Sequence, residues 1–195
     1  MTREWFEAAA AGYQDASSRW PWSWLRAWEA RSVDHALESV EGERVLELGC
    51  GAGFYTRRLI AGGAARVVAV DQAPAMVAAL PKAAVGVVAD ARTLDLPEPF
   101  DVVLCAGMLE FVDDPGPALR AAARHIRPGG RCVLLAPGSG PAAQVYRWWH
   151  ERHGVAVRLY APGELAERAR KVGWTLVGEA AVAPLNRVVL LRWGA

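Results

Sequence analysis

The sequence has few lysines, few cysteines and no excess of one charge. Lys82 and Lys171 are the only lysines, and 22 basic residues nearly balance 21 acidic ones, for a formal net charge of +1. A domain that binds duplex nucleic acid usually has a basic stripe, so the charge gives no reason to expect that partner. The three cysteines are widely spaced and form no C-x-x-C pair: Cys50, Cys105 and Cys132. The sequence thus predicts neither a zinc site nor a disulfide framework, and we expect a reducing cytoplasm.

Long apolar runs are also missing. No stretch approaches the ~20 residues that a membrane-spanning helix needs, and the N-terminal residues mix acids with apolar side chains, unlike a signal peptide. We therefore expect a cytoplasmic protein that makes no membrane contact. The chain has 195 residues, 53% of them hydrophobic, which suits a single domain with a full core.

Two stretches of different pattern follow each other along the chain. Residues 22–40 have apolar side chains at roughly helical spacing, which predicts an N-terminal helical lid over residues 1–41. From residue 42 to 195, short apolar segments alternate with helical ones, as in a parallel sheet with helices on both faces. Strands are predicted at 44–49, 65–71, 85–90, 100–107, 131–136, 174–182 and 187–193.

The last two predicted strands are joined by "APLN" alone. Four residues are too few for a helical crossover, so these strands should be antiparallel neighbours. The sequence therefore predicts an α/β fold, Rossmann-like and doubly wound, with a seven-stranded, mostly parallel sheet.

The run "VLELGCGAGFYT", residues 45–56, combines a strand with three closely spaced glycines. Open parallel sheets bind ligands beyond the carboxyl ends of their strands. Gly49, Gly51 and Gly53 would let the backbone turn tightly and lie against a ligand, and the following helix would offer free N–H groups. A tight turn without a ligand also explains glycines, but the flanking strand and helix favour a binding site.

Two kinds of ligand compete for this turn. The dinucleotide fingerprint reads G-x-G-x-x-G/A, whereas Phe54 stands here in the place of the third small residue. Asp71, at the end of the second strand, could bind a ribose of either ligand. Glu47 disfavours a pyrophosphate and suits an ammonium group, and Asp90 could accept from an adenine amine. The three acids predict a cationic nucleoside ligand such as S-adenosylmethionine.

The segments around these residues resemble the class I S-adenosylmethionine-dependent methyltransferases. "VLELGCGAGFYT" is similar to the family's first motif, "VVAVD" to the strand with the ribose-binding acid, and "VVADARTLDLP" to the adenine-contacting segment. Residues 100–134 resemble the segment from strand four to strand five. The resemblance implies sheet order 3-2-1-4-5-7-6, with the last strand antiparallel.

The resemblance also implies roles for residues at the first two strands. The backbone of the three glycines would hold the methionine part of the cofactor. Glu47 would face its ammonium group, directly or through water. Asp71 would hold the ribose, and Gln72 would lie beside the adenine.

Further cofactor contacts are implied at strands three and four and before the sheet. Asp90 would accept from the adenine amine, and Ala91 would offer its backbone. Cys105 and Ala106 would line the cofactor near the transferring methyl, although for Cys105 we favour a small apolar wall residue. Tyr13 would touch the cofactor, or else only pack in a helix.

Methyl transfer requires above all that donor and acceptor be aligned, and some acceptors also need a base. The candidates for a base are Glu110, Asp113, His150 and His153. Family members often have an "LEH"-like segment after strand four, whereas this chain has "LEF". We read Glu110 as a solvated loop acid.

The acceptor class follows from further absences and from the aromatic residues. The chain has neither the Asn/Asp-Pro-Pro-aromatic element of nucleic-acid amino methylation nor a Pro-Cys dipeptide. Tyr146, Trp148 and Trp149 could form an aromatic lid over a hydrophobic or aromatic acceptor, or merely fasten helices to the sheet. We expect a small-molecule acceptor, no nucleic-acid partner, and a monomer or homodimer.

Three other functions stay open at this point. They are methylation of protein or RNA, a non-catalytic S-adenosylmethionine-binding module, and a nicotinamide oxidoreductase.

Overall fold

The computed structural model describes residues 22–182 and 184–194, with side chains from residue 26 onward. Tyr13 and the rest of residues 1–21 lie outside this part. The elements are α1 (Trp22–Leu37), β1 (Arg44–Leu48), α2 (Phe54–Ala61), β2 (Arg66–Asp71), α3 (Pro74–Ala78), β3 (Val85–Val88), β4 (Phe100–Ala106), a 3₁₀ turn (Leu109–Phe111), α4 (Gly116–His125), β5 (Ile126–Pro137), α5 (Pro141–Arg152), α6 (Glu164–Arg170), β6 (Trp174–Val182) and β7 (Asn186–Trp193).

The seven strands form one sheet in the order β3-β2-β1-β4-β5-β7-β6. The neighbours from β3 to β5 pair in parallel, and β7 pairs antiparallel with both β5 and β6. The central strands are almost entirely apolar because both of their faces are covered. The predicted α/β class, strand order and antiparallel last strand are confirmed.

Helices cover both faces of the sheet, and side chains alternate between them. Leu46 and Leu48 belong to a core shared with α4 and α6, whereas Val45 belongs to a core shared with α1 and α2. This alternation places Glu47 on the same face as Val45, beneath α2.

The strand order reverses between β1 and β4: β2 and β3 lie on one side of β1, and β4 lies on its other side. The turns that follow β1 and β4 touch each other. A Cβ on Gly49 would lie 2.5 Å from Met108 Cβ, after β4. Only glycine allows this close approach, so the turn after β1 and the turn after β4 form one continuous edge.

Two elements differ from the sequence prediction. Strand β5 begins at Ile126, not at residue 131, and its pairing with β4 shifts register: Phe100 pairs with Ile126, but Val102 pairs with Arg131. A register shift of this kind absorbs extra residues within a strand. Helix α5 was not predicted, although Pro141 occupies its first turn, where proline is favoured.

Helix α1 is fastened to the sheet by polar contacts at its C-terminal end and near its middle. The buried Arg131 donates to the carbonyls of Leu37 and Ser39 and to the Glu43 carboxylate. Asn186 Nδ2 donates to Glu29 Oε1 across 2.6 Å. The described part of the predicted lid therefore packs on a sheet face. Across residues 22–182 and 184–194, no helix combines the length and apolar character needed to cross a membrane.

Candidate functional site

The glycine turn follows β1 at the point where the strand order reverses. Gly49, Gly51 and Gly53 all have positive φ, at 71°, 50° and 85°, which is why side-chain-bearing residues are disfavoured there. The amides of Gly49 and Cys50 both donate to the Val70 carbonyl, at 2.8 and 3.0 Å. The turn is thereby tied to the end of β2.

Asp71, the last residue of β2, holds two backbone segments with its two carboxylate oxygens. Oδ2 accepts from the Gly51 amide and Oδ1 from the Ala73 amide, each at 2.9 Å. The Asp71 side chain therefore shapes the glycine turn as well as standing where a ribose was predicted.

The three glycines have different surroundings. A Cβ on Gly53 would meet Leu80 at 2.9 Å, whereas a Cβ on Gly51 would meet nothing within 4 Å. Arg57 Nη1 fixes the turn from behind by donating to the carbonyls of Ala52 and Gly53, at 2.7 and 2.8 Å. Gly51 thus presents bare backbone to open space, and this opening fits a ligand held by main-chain contacts.

Glu47 lies within β1 rather than beyond its end. Its carboxyl is only 2% exposed and accepts a 2.6 Å hydrogen bond from Thr56 Oγ1 on α2. Burial raises the pKa of Glu47 to about 8, with the Thr56 hydrogen bond opposing this rise and the nearby Asp71 carboxylate contributing to it. The proximity of Asp71 places Glu47 directly behind the glycine turn.

Asp90 follows β3 and is engaged by its neighbour Arg92. Arg92 donates to both Asp90 oxygens from Nε at 3.0 Å, and its backbone amide donates to Oδ1 at 2.9 Å. Hydrogen bonding from Arg92 lowers the pKa of Asp90. Gln72, which follows Asp71, and Ala91, which follows Asp90, are both half-buried. The adenine contacts predicted for Asp90, Gln72 and Ala91 stay a prediction.

Cys105 packs inside the core. It is buried in the cluster shared with α4 and α6, and burial raises the pKa of its thiol. This environment agrees with a small apolar wall residue. Ala106, at the end of β4, is half-buried.

Glu110 lies in the 3₁₀ turn after β4, and its interpretation as a solvated loop acid is wrong. The side chain is 6% exposed, because the turn is held inward: the Arg158 amide donates to the Glu110 carbonyl at 2.8 Å, and Tyr160 Oη donates to the Leu109 carbonyl at 2.8 Å. Burial raises the pKa of Glu110 to about 8.

The other proposed acceptor-side residues lie on α5. His150 is buried, its Nδ1 bonds the Tyr146 carbonyl at 3.0 Å, and burial lowers its pKa. Trp148 and Trp149 are 55% and 47% exposed and share an outer face with Val145. Their predicted part in acceptor binding stays a prediction. Asp113 and His153 are exposed.

Two residues that shape the site were not found from the sequence. Thr56 is the partner of Glu47, and Arg57 supports the glycine turn. A signal was available, since both fall in the first turn of the helix that follows the glycines, where side chains can reach back to the strand and the turn.

Comparisons with known proteins agree with this geometry. Residues 46–134 match the methyltransferase domain family. A ubiquinone biosynthesis O-methyltransferase from Pseudomonas putida is 34% identical over 148 residues, which cover 71% of this chain and 63% of that protein. The chain thus spans less than two thirds of that relative's length.

Solved structures match the fold over nearly the whole chain. The protein in complex with the Trm112 methyltransferase activator of Haloferax volcanii has a TM-score of 0.82 and 19% identity, covering 97% of this chain and 98% of that one. Magnesium protoporphyrin IX methyltransferase from Synechocystis, with S-adenosylhomocysteine bound, has a TM-score of 0.78 and 14% identity, covering 98% and 97%. The chain is thus similar to O-methyltransferases in sequence over 71% of its length and to S-adenosylmethionine-dependent methyltransferases in fold over most of it.

Proposed function

We propose that the chain binds S-adenosylmethionine at the glycine turn and transfers its methyl group to an oxygen of a small hydrophobic or aromatic acceptor. The observation that carries this proposal is Gly51, whose backbone is fixed by Asp71 yet faces open space at the switch point of the sheet. Ligands of open α/β sheets bind in this position.

The site's charges support a cationic ligand. Asp71 adjoins the turn, and a carboxylate favours an ammonium or sulfonium group over a pyrophosphate. In this arrangement the turn holds the methionine part, Asp71 binds the ribose hydroxyls, and Asp90 with Gln72 and Ala91 lies toward the adenine. Because Arg92 engages Asp90, an adenine amine would share that carboxylate with the guanidinium.

The choice of oxygen as acceptor atom rests on the curated relatives, whose names describe O-methyltransferases of ubiquinone biosynthesis. Tyr146, Trp148 and Trp149 remain the aromatic residues proposed to contact the acceptor. Alanine at both 148 and 149 should then raise the acceptor KM, and an unchanged KM would remove them from the site.

Calorimetry with S-adenosylhomocysteine and with NAD tests the cofactor. We expect saturable heat with the first and none with the second, and NAD binding at the glycine turn would overturn the proposal. Incubation with radiolabelled methyl donor and a bacterial extract tests the acceptor class. Label should enter the small-molecule fraction, whereas label in tRNA or protein would support a macromolecular acceptor instead.

A further inference from the structure

A buried acid lies next to the glycine turn. Glu110 follows Met108 by two residues, and Met108 is the residue that packs directly against Gly49. The 3₁₀ turn that carries Glu110 therefore borders the same switch point as the glycines. An acceptor that meets a methyl donor held by the glycine turn has to approach this edge of the sheet.

One oxygen of this acid is unused. Among the residues that the structure describes, Glu110 Oε2 is buried without a hydrogen-bond partner. The other oxygen, Oε1, lies 3.8 Å from the position that a Cβ on Gly107 would occupy. Gly107 is exposed and has a φ of 73°. Because Gly107 has no side chain, the Oε1 side of the Glu110 carboxyl faces bare backbone. A buried acceptor atom without a donor is rare in native proteins and fits a donor brought by a ligand.

The described groups around Glu110 do not supply that donor. The titratable groups that face it are Glu29 of α1, the thiol of Cys105 and the hydroxyl of Tyr160. The Tyr160 hydroxyl donates to the Leu109 carbonyl. The Arg158 guanidinium donates to the Asp113 carbonyl and to Glu164.

We propose that Glu110 is the catalytic base of the methyl transfer, with its carboxylate accepting first the hydrogen bond and then the proton of the acceptor's hydroxyl group. This inference rests on the proposed function. The acceptor oxygen forms the new C–O bond with the methyl carbon. The C–S bond breaks and its electron pair stays on sulfur as a neutral thioether. The hydroxyl proton ends on the Glu110 carboxyl, from which it passes to water.

The strength of the base suits this role. A pKa of about 8 lies near the operating pH, where a general base is most effective. The carboxylate form is the active one, and its fraction rises with pH through that value. The kcat/KM for a weakly acidic phenol should therefore increase with pH and level off above about pH 9.

Two phenols of different acidity separate a base from a merely structural residue. With 4-cresol, which is un-ionised at neutral pH, Glu110→Gln should lower kcat roughly 100-fold or more. With 4-nitrophenol, about half of which is already ionised at that pH, the same variant should lose much less. Glu110→Asp should fall between wild type and Glu110→Gln with 4-cresol. Glu167→Gln, at an exposed acid paired with Lys171, is the matched control and should match wild type with both.

A second measurement needs no turnover. In the wild-type complex with S-adenosylhomocysteine, difference infrared spectra should show protonated carboxyl absorption that titrates near pH 8. The band due to Glu110 should be missing in Glu110→Gln, whereas the band due to Glu47 should stay. Equal losses with both phenols, no methylation of either phenol by wild type, or absence of the Glu110 band would overturn the inference. Failure of the wild-type protein to bind S-adenosylhomocysteine would instead overturn the proposed function. Unchanged binding in Glu110→Gln shows that the variant is folded.

Discussion

Thr56 Oγ1 donates a 2.6 Å hydrogen bond to Glu47 Oε2 inside the protein, between α2 and β1. Thr56 is fully buried and Glu47 almost so, so the bond joins the strand before the glycine turn to the helix after it. The two residues thereby clamp the two ends of the turn.

The Thr56–Glu47 bond should contribute measurably to stability. Thr56→Val keeps the shape of the side chain but leaves a buried carboxyl oxygen without its donor, which typically costs about 1–3 kcal/mol. Thr56→Ser keeps the hydroxyl and should cost less. Urea unfolding at neutral pH measures both variants, and equal losses would show that the lost packing, not the hydrogen bond, is responsible.

The buried acids Glu47 and Glu110 should make the protein less stable as the pH rises. Both have a folded pKa of about 8 against an ordinary value of 4.5. Between these values the folded state binds more protons than the unfolded state, so the free energy of unfolding falls with increasing pH. The stabilisation is complete below the ordinary value and is lost as pH rises toward 8.

Replacing both acids should flatten that dependence. We expect the double variant Glu47→Gln/Glu110→Gln to gain stability relative to wild type from about pH 5 to pH 9. Urea midpoints across this range provide the measurement. Glu167→Gln should leave the wild-type slope unchanged, and a double variant with that same slope would contradict the assignment.

Replacing Asp71 should weaken cofactor binding by more than the loss of its charge alone would. Asp71→Ala removes both the proposed ribose partner and the acceptor of the Gly51 and Ala73 amides. One lost charge-assisted hydrogen bond is typically worth ~1.5–3 kcal/mol, so S-adenosylhomocysteine should bind about tenfold more weakly or worse. Calorimetry measures this loss, with alanine at the exposed Asp95 as a control. Undiminished affinity would place the ribose elsewhere.

Replacing the glycines of the turn by alanine should have two different effects, one on stability and one on ligand binding. Gly49→Ala combines positive φ with the contact to Met108 and should reduce the melting temperature sharply. Gly51→Ala has only the backbone strain, about 1–2 kcal/mol, but its methyl group would enter the ligand side.

Gly42→Ala is a matched control for Gly51→Ala, since Gly42 also has positive φ and open surroundings but precedes β1 at the far end of the strand. Melting temperatures should fall alike for the two variants. Only Gly51→Ala should lose S-adenosylhomocysteine binding, and retained binding would place the ligand away from Gly51.

The sheet could be predicted because its strands are apolar on both faces and short connections limit the topology. Even the pairing of β6 with β7 followed from four intervening residues. Helix α5 was missed because its large apolar side chains, Val145, Trp148 and Trp149, face outward and so give no inward stripe.

Burial of single polar residues was the hardest feature to predict. Asp71 was found because it ends an apolar strand. The environment of Glu110 depends on Arg158 and Tyr160, which are about fifty residues away in the chain. No local pattern records such a contact. The same holds for the buried Arg131, which joins β5 to the end of α1.

The register shift between Leu176 and Gly178 on β6 has a consequence for solubility. Strand β6 is last in the sheet order, and Leu176 and Val177 are exposed on it. A continuous apolar edge would invite another chain to extend the ladder, whereas an irregular edge interrupts the row of amides and carbonyls that such an addition requires. The irregularity thus protects the protein against edge-to-edge aggregation.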